Sequence, residues 1–280
     1  MFDKLKALTQ RYHLTNKPPS DLTQSRGSAT VLRGRIHPLS MFVSTPEEAW
    51  SAAHKQNALA AQAAAEHWLQ SEARRYGIRL EFDAGEWFGR VRDVTVNEIL
   101  RGRIDGAPSD GSNVRKLHDY ARVLSTQAGL RTPRELYLAV REKYRCSSSH
   151  MIVYANTWGR AHALPFYADD NTDDYLLEGC VVYGLDRPGA PDPWLPATIA
   201  HEVLHLYGAW DLYRDPAVPE ELSAAGELLF PNDVMTDNLN PLGKCVVGPL
   251  TAWRIGWTPE EAWLRVLPKL VEVLVSGRPL

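Results

Sequence analysis

Residues 201 to 211 place two histidines, a glutamate and an aspartate at a spacing that could hold a catalytic metal ion. The segment reads His-Glu-Val-Leu-His-Leu-Tyr-Gly-Ala-Trp-Asp. Because His201 and His205 are four residues apart, an α-helix would present both on one face. Glu202 lies beside them and would be close enough to hold a water molecule at the metal. Two imidazoles with an adjacent carboxylate predict a zinc site that deprotonates water, with Glu202 as the general base.

A third protein ligand has to come from outside the regular path of that helix. Gly208 can take a left-handed conformation and end the helix, after which the chain would turn back and bring Asp211 to the ion. Two histidine nitrogens, one aspartate oxygen and one open position are the ligand set of a catalytic zinc. Two alternatives stay open at this point. Asp211 could bond the backbone of its own turn, and the two histidines could be core residues paired with nearby carboxylates.

The extended pattern HExxHxxGxxD resembles the metzincin metallopeptidases, and it is most similar to the snapalysin-type branch, in which aspartate replaces the commoner third histidine. The resemblance implies zinc-dependent cleavage of a protein or peptide substrate by a two-lobed domain, with the metal helix at the floor of a cleft. It also implies a tight turn whose methionine packs beneath the metal. Met235, in the segment Pro-Asn-Asp-Val-Met-Thr at 231–236, is the candidate. An ordinary core methionine is the alternative.

A second segment is similar to the Ala-His-Ala strand of the matrixins. Here it consists of Ala161, His162 and Ala163. The resemblance implies an edge strand above the cleft that pairs with an extended peptide, so that main-chain hydrogen bonds bind the substrate. A solvated edge residue is the alternative role for His162.

The group that would stabilise the oxyanion is less clearly marked. Some metzincins have a tyrosine two residues after the methionine, but Asp237 occupies that position here. Tyr207 and Tyr213 flank the candidate ligands and are the candidates for oxyanion support. Packing is the ordinary role of either side chain.

Composition narrows the function classes. The 280 residues are 44% apolar and 23% charged, which predicts a folded protein with a sizeable core. The net charge of −3, without a dense basic cluster, gives no reason to expect nucleic acid as a partner. No apolar stretch is long enough for a membrane span. Three cysteines cannot all pair, which argues against an exported domain built on disulfides.

The first residues lack the apolar run of a secretory signal, so we expect a cytoplasmic protein or one exported without a cleaved leader. Export would favour a leaderless bacterial effector or toxin protease, with an inhibitor or immunity protein as partner. A non-catalytic, zinc-stabilised binding protein is the alternative from a different class. Glu202 argues against it, because a structural site needs no base and usually has four protein ligands.

The elements around these residues predict an α/β (α+β) fold, with a mixed sheet backed by long helices and a smaller, mainly helical C-terminal lobe. Strands are predicted at 36–44, 78–82, 151–154 and 180–183, and helices from Thr45-Pro46 to about 76, at 133–144, 196–207 and 249–255, and from 258. Residues 1–30 are read as a polar arm, followed by an upper lobe at about 31–208 and a lower lobe at about 209–280. The carboxylate-rich loop at 168–174 is a candidate Ca²⁺ site, with a solvated loop as the alternative.

Overall fold

A computed structural model gives the fold of the protein. It describes residues 27–44, 49–83, 91–95, 112–164, 177–187, 190–191, 196–213 and 220–259. The candidate calcium loop, residues 1–26 of the arm and the last predicted helix beyond residue 259 lie outside these ranges.

The described chain contains a mixed, seven-stranded sheet flanked by helices, which confirms a mixed α/β fold. In chain order the strands are β1 Gly34–Ser44, β2 Leu80–Phe82, β3 Val91–Thr95, β4 Ser148–Trp158, β5 His162–Leu164, β6 Gly179–Arg187 and β7 Ala190–Pro191. The main path runs β2-β1-β4-β6-β5, with β3 also on β1 and β7 also on β6. The pairs β1–β2, β1–β3, β1–β4 and β4–β6 are parallel, whereas β5 and β7 run antiparallel to β6.

Helices cover both faces of the central strands. The described helices are α1 Ala52–Arg75, α2 Ser112–Gln127, α3 Pro133–Tyr144, α4 Pro196–Leu206, α5 Glu220–Leu229 and α6 Pro249–Arg254. Alternate residues of β4 enter two separate cores: Ile152 and Tyr154 pack with α1 and α4, whereas Met151 and Val153 pack with α2 and α3. A strand buried on both faces reads as a continuous apolar run. This is why β4 and β6 could be predicted from the sequence.

The long helix α1 begins later than predicted. Ser51 is its N-cap and its side chain accepts the His54 N–H at 3.2 Å, so the prediction of a start at Thr45-Pro46 is wrong for this helix. Trp50 lies before the cap, where its indole N–H donates to the Val43 carbonyl at 2.8 Å and keeps the chain close to the end of β1. The 24 residues span about 36 Å instead of the expected ~45 Å. The end near Tyr76 is confirmed.

The other flanking helices were unequally predictable. For α3, Thr132 is the N-cap and accepts the Glu135 N–H at 3.1 Å, as the sequence predicts. Helix α2 was not predicted from the sequence, because the residues before and at its start, 103–113, are rich in Gly, Pro, Asp and Ser and favour a loop. Its buried positions 117, 120, 121 and 124 nevertheless follow the spacing of one helical face.

Helix α4 and the segment 230–257 form one core with α1. Tyr76, just beyond α1, donates its hydroxyl to the Val247 carbonyl at 2.6 Å, and Glu72 accepts the Val247 N–H at 2.8 Å. Trp257 is buried and donates its indole N–H to the Leu32 carbonyl at 2.7 Å. These long-range bonds fix the segment after the candidate ligands against the helix that backs the sheet.

Two residues at the end of the predicted arm are part of the core. Ser28 and Ala29 are buried. Glu178, itself buried beside the start of β6, accepts the Ala29 N–H at 2.7 Å and donates its own N–H to the Ser28 hydroxyl at 3.0 Å. Among the described helices, none combines the length and apolar character needed to cross a membrane.

Candidate metal centre

Helix α4 presents two of the predicted ligands. It begins at Pro196 and ends at Leu206, so His201 and His205 lie one turn apart on the same face. Gly208 then has φ of 101°, and the Ala209 N–H returns to the Leu204 carbonyl at 3.1 Å. Such a backbone conformation strains any residue with a Cβ, so the glycine lets the chain reverse directly after the helix.

The reversal brings Asp211 to the two histidines. Its Oδ1 lies 3.1 Å from His201 Nε2 and 3.0 Å from His205 Nε2, and the two Nε2 atoms are 3.0 Å apart. Within the described ranges, these three residues form the one group of three potential metal ligands found together. His201 is 1% exposed, whereas Asp211 and His205 are partly exposed. The cluster therefore has a buried side and a side open to solvent.

Backbone carbonyls fix the orientation of both imidazoles. His201 Nδ1 lies 3.0 Å from the Val234 carbonyl oxygen, and His205 Nδ1 lies 3.0 Å from the Ala209 carbonyl oxygen. Because a carbonyl can only accept, each Nδ1 must carry the proton. Each Nε2 is then the nitrogen available to a metal ion. A hydrogen bond from the non-ligating nitrogen to a backbone carbonyl is typical of histidines that bind metals.

The donor set fits zinc. Tetrahedral zinc with bonds of about 2.0–2.1 Å keeps its ligands about 3.3 Å apart. The three distances of 3.0–3.1 Å are close to that value. The described chain supplies three ligands and not four, as expected for a site with an open position.

In the absence of an ion, the cluster carries an additional proton on His205. Burial lowers the pKa of His205, but its hydrogen bond to Asp211 and the charge of that residue outweigh burial and raise this pKa to about 9. Burial raises the pKa of Asp211, but hydrogen bonds from both histidines outweigh this and hold it well below its usual range. At neutral pH the metal-free cluster therefore contains a protonated His205 beside an ionised Asp211. A metal ion has to displace that proton.

Glu202 lies against the cluster with a free carboxylate oxygen. The side chain is 4% exposed, and its Oε2 is buried without a hydrogen-bond partner among the described residues. Its negative charge is near enough to contribute to the raised pKa of His205. A buried acceptor left unpaired costs about 1–3 kcal/mol, so such an atom calls for an explanation. A water molecule or substrate proton at the metal would provide the missing partner.

The two candidate tyrosines lie in different environments. Tyr207 is buried, and its hydroxyl is 2.9 Å from His150 Nδ1 in the interior, so it does not reach the ligand cluster. Tyr213 lies beside the ligands, with its ring centroid 5.8 Å from that of His201. Burial, followed by the charge of Asp211, raises the pKa of Tyr213, so its hydroxyl stays protonated at neutral pH. Of the pair, Tyr213 is the one that could donate to a developing oxyanion.

Arg160 is a neighbour of the site that sequence reasoning missed. Its Nη2 donates to the Tyr213 hydroxyl at 2.6 Å, and its guanidinium carbon lies 5.3 Å from the centroid of that ring. Nothing in the sequence singled out this arginine, because 53 residues separate the two side chains. The contact fixes the tyrosine beside His201.

The remaining predicted residues belong to elements that pack against helix α4. Met235 is fully buried in the same core as α4, one residue after the Val234 carbonyl that bonds His201. His162 and Ala163 are in β5, which forms the end of the main sheet path and contacts α4, and Ala161 immediately precedes it.

Comparison with known proteins adds no assignment. No model of a known protein family matches this chain, and no curated protein matches it. The geometry of the cluster is therefore the feature that points to a function.

Proposed function

We propose that the protein is a zinc-dependent endopeptidase of the metzincin kind. One observation carries the proposal: two imidazole Nε2 atoms and a carboxylate oxygen converge at 3.0–3.1 Å beside a buried glutamate oxygen that has no partner among the described residues. Metal coordination explains the convergence of the three ligands. Proton transfer explains the glutamate, which a purely structural metal site would not require.

In this proposal His201, His205 and Asp211 hold the metal. Zinc bound there would supply Lewis acidity and a water molecule of lowered pKa. Glu202 accepts the proton of the attacking water and returns it to the leaving amine. The low exposure of Glu202 favours this role, because little bulk water competes for its free oxygen.

Tyr213 is the proposed donor to the oxyanion. Its hydroxyl accepts from Arg160 and donates to the Asp211 carboxylate in the metal-free protein. Coordination of Asp211 to zinc would compete for that carboxylate, and the Tyr213 proton would then be available to stabilise negative charge on an oxyanion. Tyr213 would thus stabilise the oxyanion in place of the tyrosine that some metzincins have two residues after the methionine, where this chain has Asp237.

The substrate is proposed to be an extended protein or peptide. Strand β5 pairs with β6 through His162↔Val181 and Ala163↔Cys180, and it ends the main path of the sheet on the side of α4. A peptide added to its outer side would gain main-chain hydrogen bonds and lie across the metal cluster. The corresponding cleft would separate an upper lobe at about 31–208 from a lower lobe at about 209–280, as in metzincins.

The decisive experiment compares Glu202→Gln with the parent protein. The variant should bind zinc with unchanged stoichiometry, because Glu202 is not a ligand, while peptide hydrolysis falls by at least 10²-fold, since general-base catalysis is lost. Glu227→Gln is the matched control, because this glutamate of α5 is exposed and does not belong to the ligand group. Proteome-wide cleavage profiling with the three proteins and elemental analysis would identify substrates and metal together.

The outcomes separate the two classes of function. Zinc binding without hydrolysis by the parent would favour a zinc-stabilised binding protein. Equal hydrolysis by the parent and Glu202→Gln would refute the role of Glu202. If the parent binds no zinc, the endopeptidase proposal fails altogether.

A further inference from the structure

A buried carboxylate lies in the turn behind the candidate metal ligands. Asp233 is fully buried. Its Oδ1 accepts the Met235 N–H at 2.9 Å, and its Oδ2 accepts the Gly248 N–H at 2.9 Å and the Thr251 hydroxyl at 2.7 Å. Three donors to one carboxylate join two stretches of chain, the turn at 233–236 and the start of α6.

That turn contacts the ligand cluster through two successive carbonyls. The Val234 carbonyl accepts the Nδ1–H of His201 at 3.0 Å. The Met235 carbonyl accepts the N–H of Leu212, the residue after Asp211, at 2.9 Å. One turn therefore orients a histidine ring and anchors the backbone that carries the aspartate ligand.

The carboxylate has little freedom to move. A Cβ added to Gly248 would lie 2.4 Å from Asp233 Oδ2, so the backbone approaches the carboxylate as closely as only glycine allows. The backbone around it is also bonded: the Val234 N–H donates to the Val246 carbonyl at 3.0 Å, and the Val246 N–H donates to the Asn232 carbonyl at 2.8 Å. The turn is thus hydrogen-bonded on both of its sides.

We propose that Asp233 is a positioning residue for the metal site. It holds the turn so that the Val234 carbonyl fixes the Nδ1–H tautomer of His201, and so that the backbone at Leu212 directs Asp211 towards the histidines. This inference rests on the proposed zinc site. It extends that proposal by assigning the preorganisation of two ligands to one carboxylate that binds neither metal nor substrate.

The main test measures zinc affinity in Asp233→Asn. An asparagine keeps the size of the side chain but presents an NH₂ group to donors, so it cannot accept from all three partners. Loss of such support typically weakens metal binding about 10- to 100-fold, and we expect a change of that size in competition with a chromophoric chelator. Asp237→Asn is the matched control, because that carboxylate bonds the Leu239 N–H and the Asn240 amide instead of the turn. It should retain the affinity of the parent.

A second pair of variants removes the risk that Asp233→Asn fails to fold. Thr251→Val removes the hydroxyl donor at nearly equal volume, whereas Thr251→Ser keeps the donor and loses a methyl group. A positioning role predicts that zinc affinity falls about 3- to 10-fold in the valine variant and is retained in the serine variant. If Thr251 acted only through packing, the serine variant would lose more zinc affinity than the valine variant, because only the serine variant creates a cavity.

The tautomer of His201 is the readout that a merely structural role would not change. Nitrogen NMR of labelled, folded protein should show Nδ1–H at His201 in the parent and in Asp237→Asn, and a mixture of tautomers in Asp233→Asn. Tight zinc binding by the parent and equally tight binding by Asp233→Asn would overturn the inference and leave the endopeptidase proposal intact. A parent that binds no zinc would overturn both.

Discussion

In the proposed zinc site, zinc and a proton would compete for the Nε2 atom of His205, and the loss of zinc affinity to that proton can be calculated. Asp211 raises the pKa of His205 to about 9, so this histidine is protonated at neutral pH in the metal-free protein. Zinc can bind only the unprotonated nitrogen. At pH 7, two units below that pKa, the apparent affinity should be about 100-fold weaker than its limit at high pH, or about 2.7 kcal/mol.

The same proton has the opposite effect on the metal-free fold. A histidine with a raised pKa stabilises the folded state below its unfolded pKa of about 6.5, and the stabilisation is lost as the pH rises through about 9. The full effect is about 3 kcal/mol. Chelator-treated protein should therefore become less stable between pH 6.5 and 9, while zinc affinity increases over the same range.

Two measurements test this reasoning. Chelator competition at pH 6, 7 and 8 should give zinc dissociation constants that decrease about tenfold per pH unit. Urea denaturation of chelator-treated protein should give a midpoint that decreases from pH 6.5 to 9. Asp211→Asn should abolish most of this pH dependence, because without the Asp211 carboxylate the pKa of His205 is no longer raised. Equal zinc affinity at pH 6 and pH 8 would show that His205 carries no proton to displace, and the reasoning would be refuted.

Two further variants test the surroundings of the ligands. Tyr213→Phe should lower kcat/KM about 10²-fold with zinc retained, because the oxyanion loses its donor. Tyr207→Phe should leave hydrolysis unchanged and lower the free energy of unfolding in urea by about 1 kcal/mol, since only the buried hydrogen bond to His150 is lost. The opposite ranking of the two rates would contradict the placement of the oxyanion. Gly208→Ala should destabilise the fold by about 1–3 kcal/mol and weaken zinc binding, because φ of 101° strains a residue with a Cβ and the third ligand follows directly. Gly243→Ala is its control, since a Cβ there meets no atom within 4 Å, and identical zinc affinity and stability in the two variants would argue against a role for the turn.

Local signals predicted local structure well. The Thr132 cap and the boundaries of α3 follow from one capping pattern, and the helix bearing the ligands follows from its spacing. Competing caps limited the prediction of α1, because Thr45 and Ser51 both precede helix-forming residues and only the structure places Trp50 against β1. The strand pairings were not predictable, since β1 pairs with segments about 45 to 110 residues away.

The candidate site was likewise only partly predictable from the sequence. His201, Glu202, His205 and Asp211 lie within eleven residues, so their types and spacing predict the cluster before any fold is known. The groups that orient the two imidazoles are backbone carbonyls, which every residue possesses and no sequence pattern marks: that of Ala209 is four residues from His205, and that of Val234 is 33 residues from His201. Asp233 carried a weak signal, as an aspartate placed two residues before the methionine of a turn.

The distance in sequence between His201 and the Val234 carbonyl has a consequence during synthesis. A nascent chain that has left the ribosome as far as Asp211 carries every ligand, but it lacks the acceptor, 33 residues from His201, that orients the first of them. If the proposed zinc site exists, preorganised metal binding would wait until the turn at 233–236 has folded against α4. A hydrolase of the proposed kind would then gain activity only once this later segment is in place.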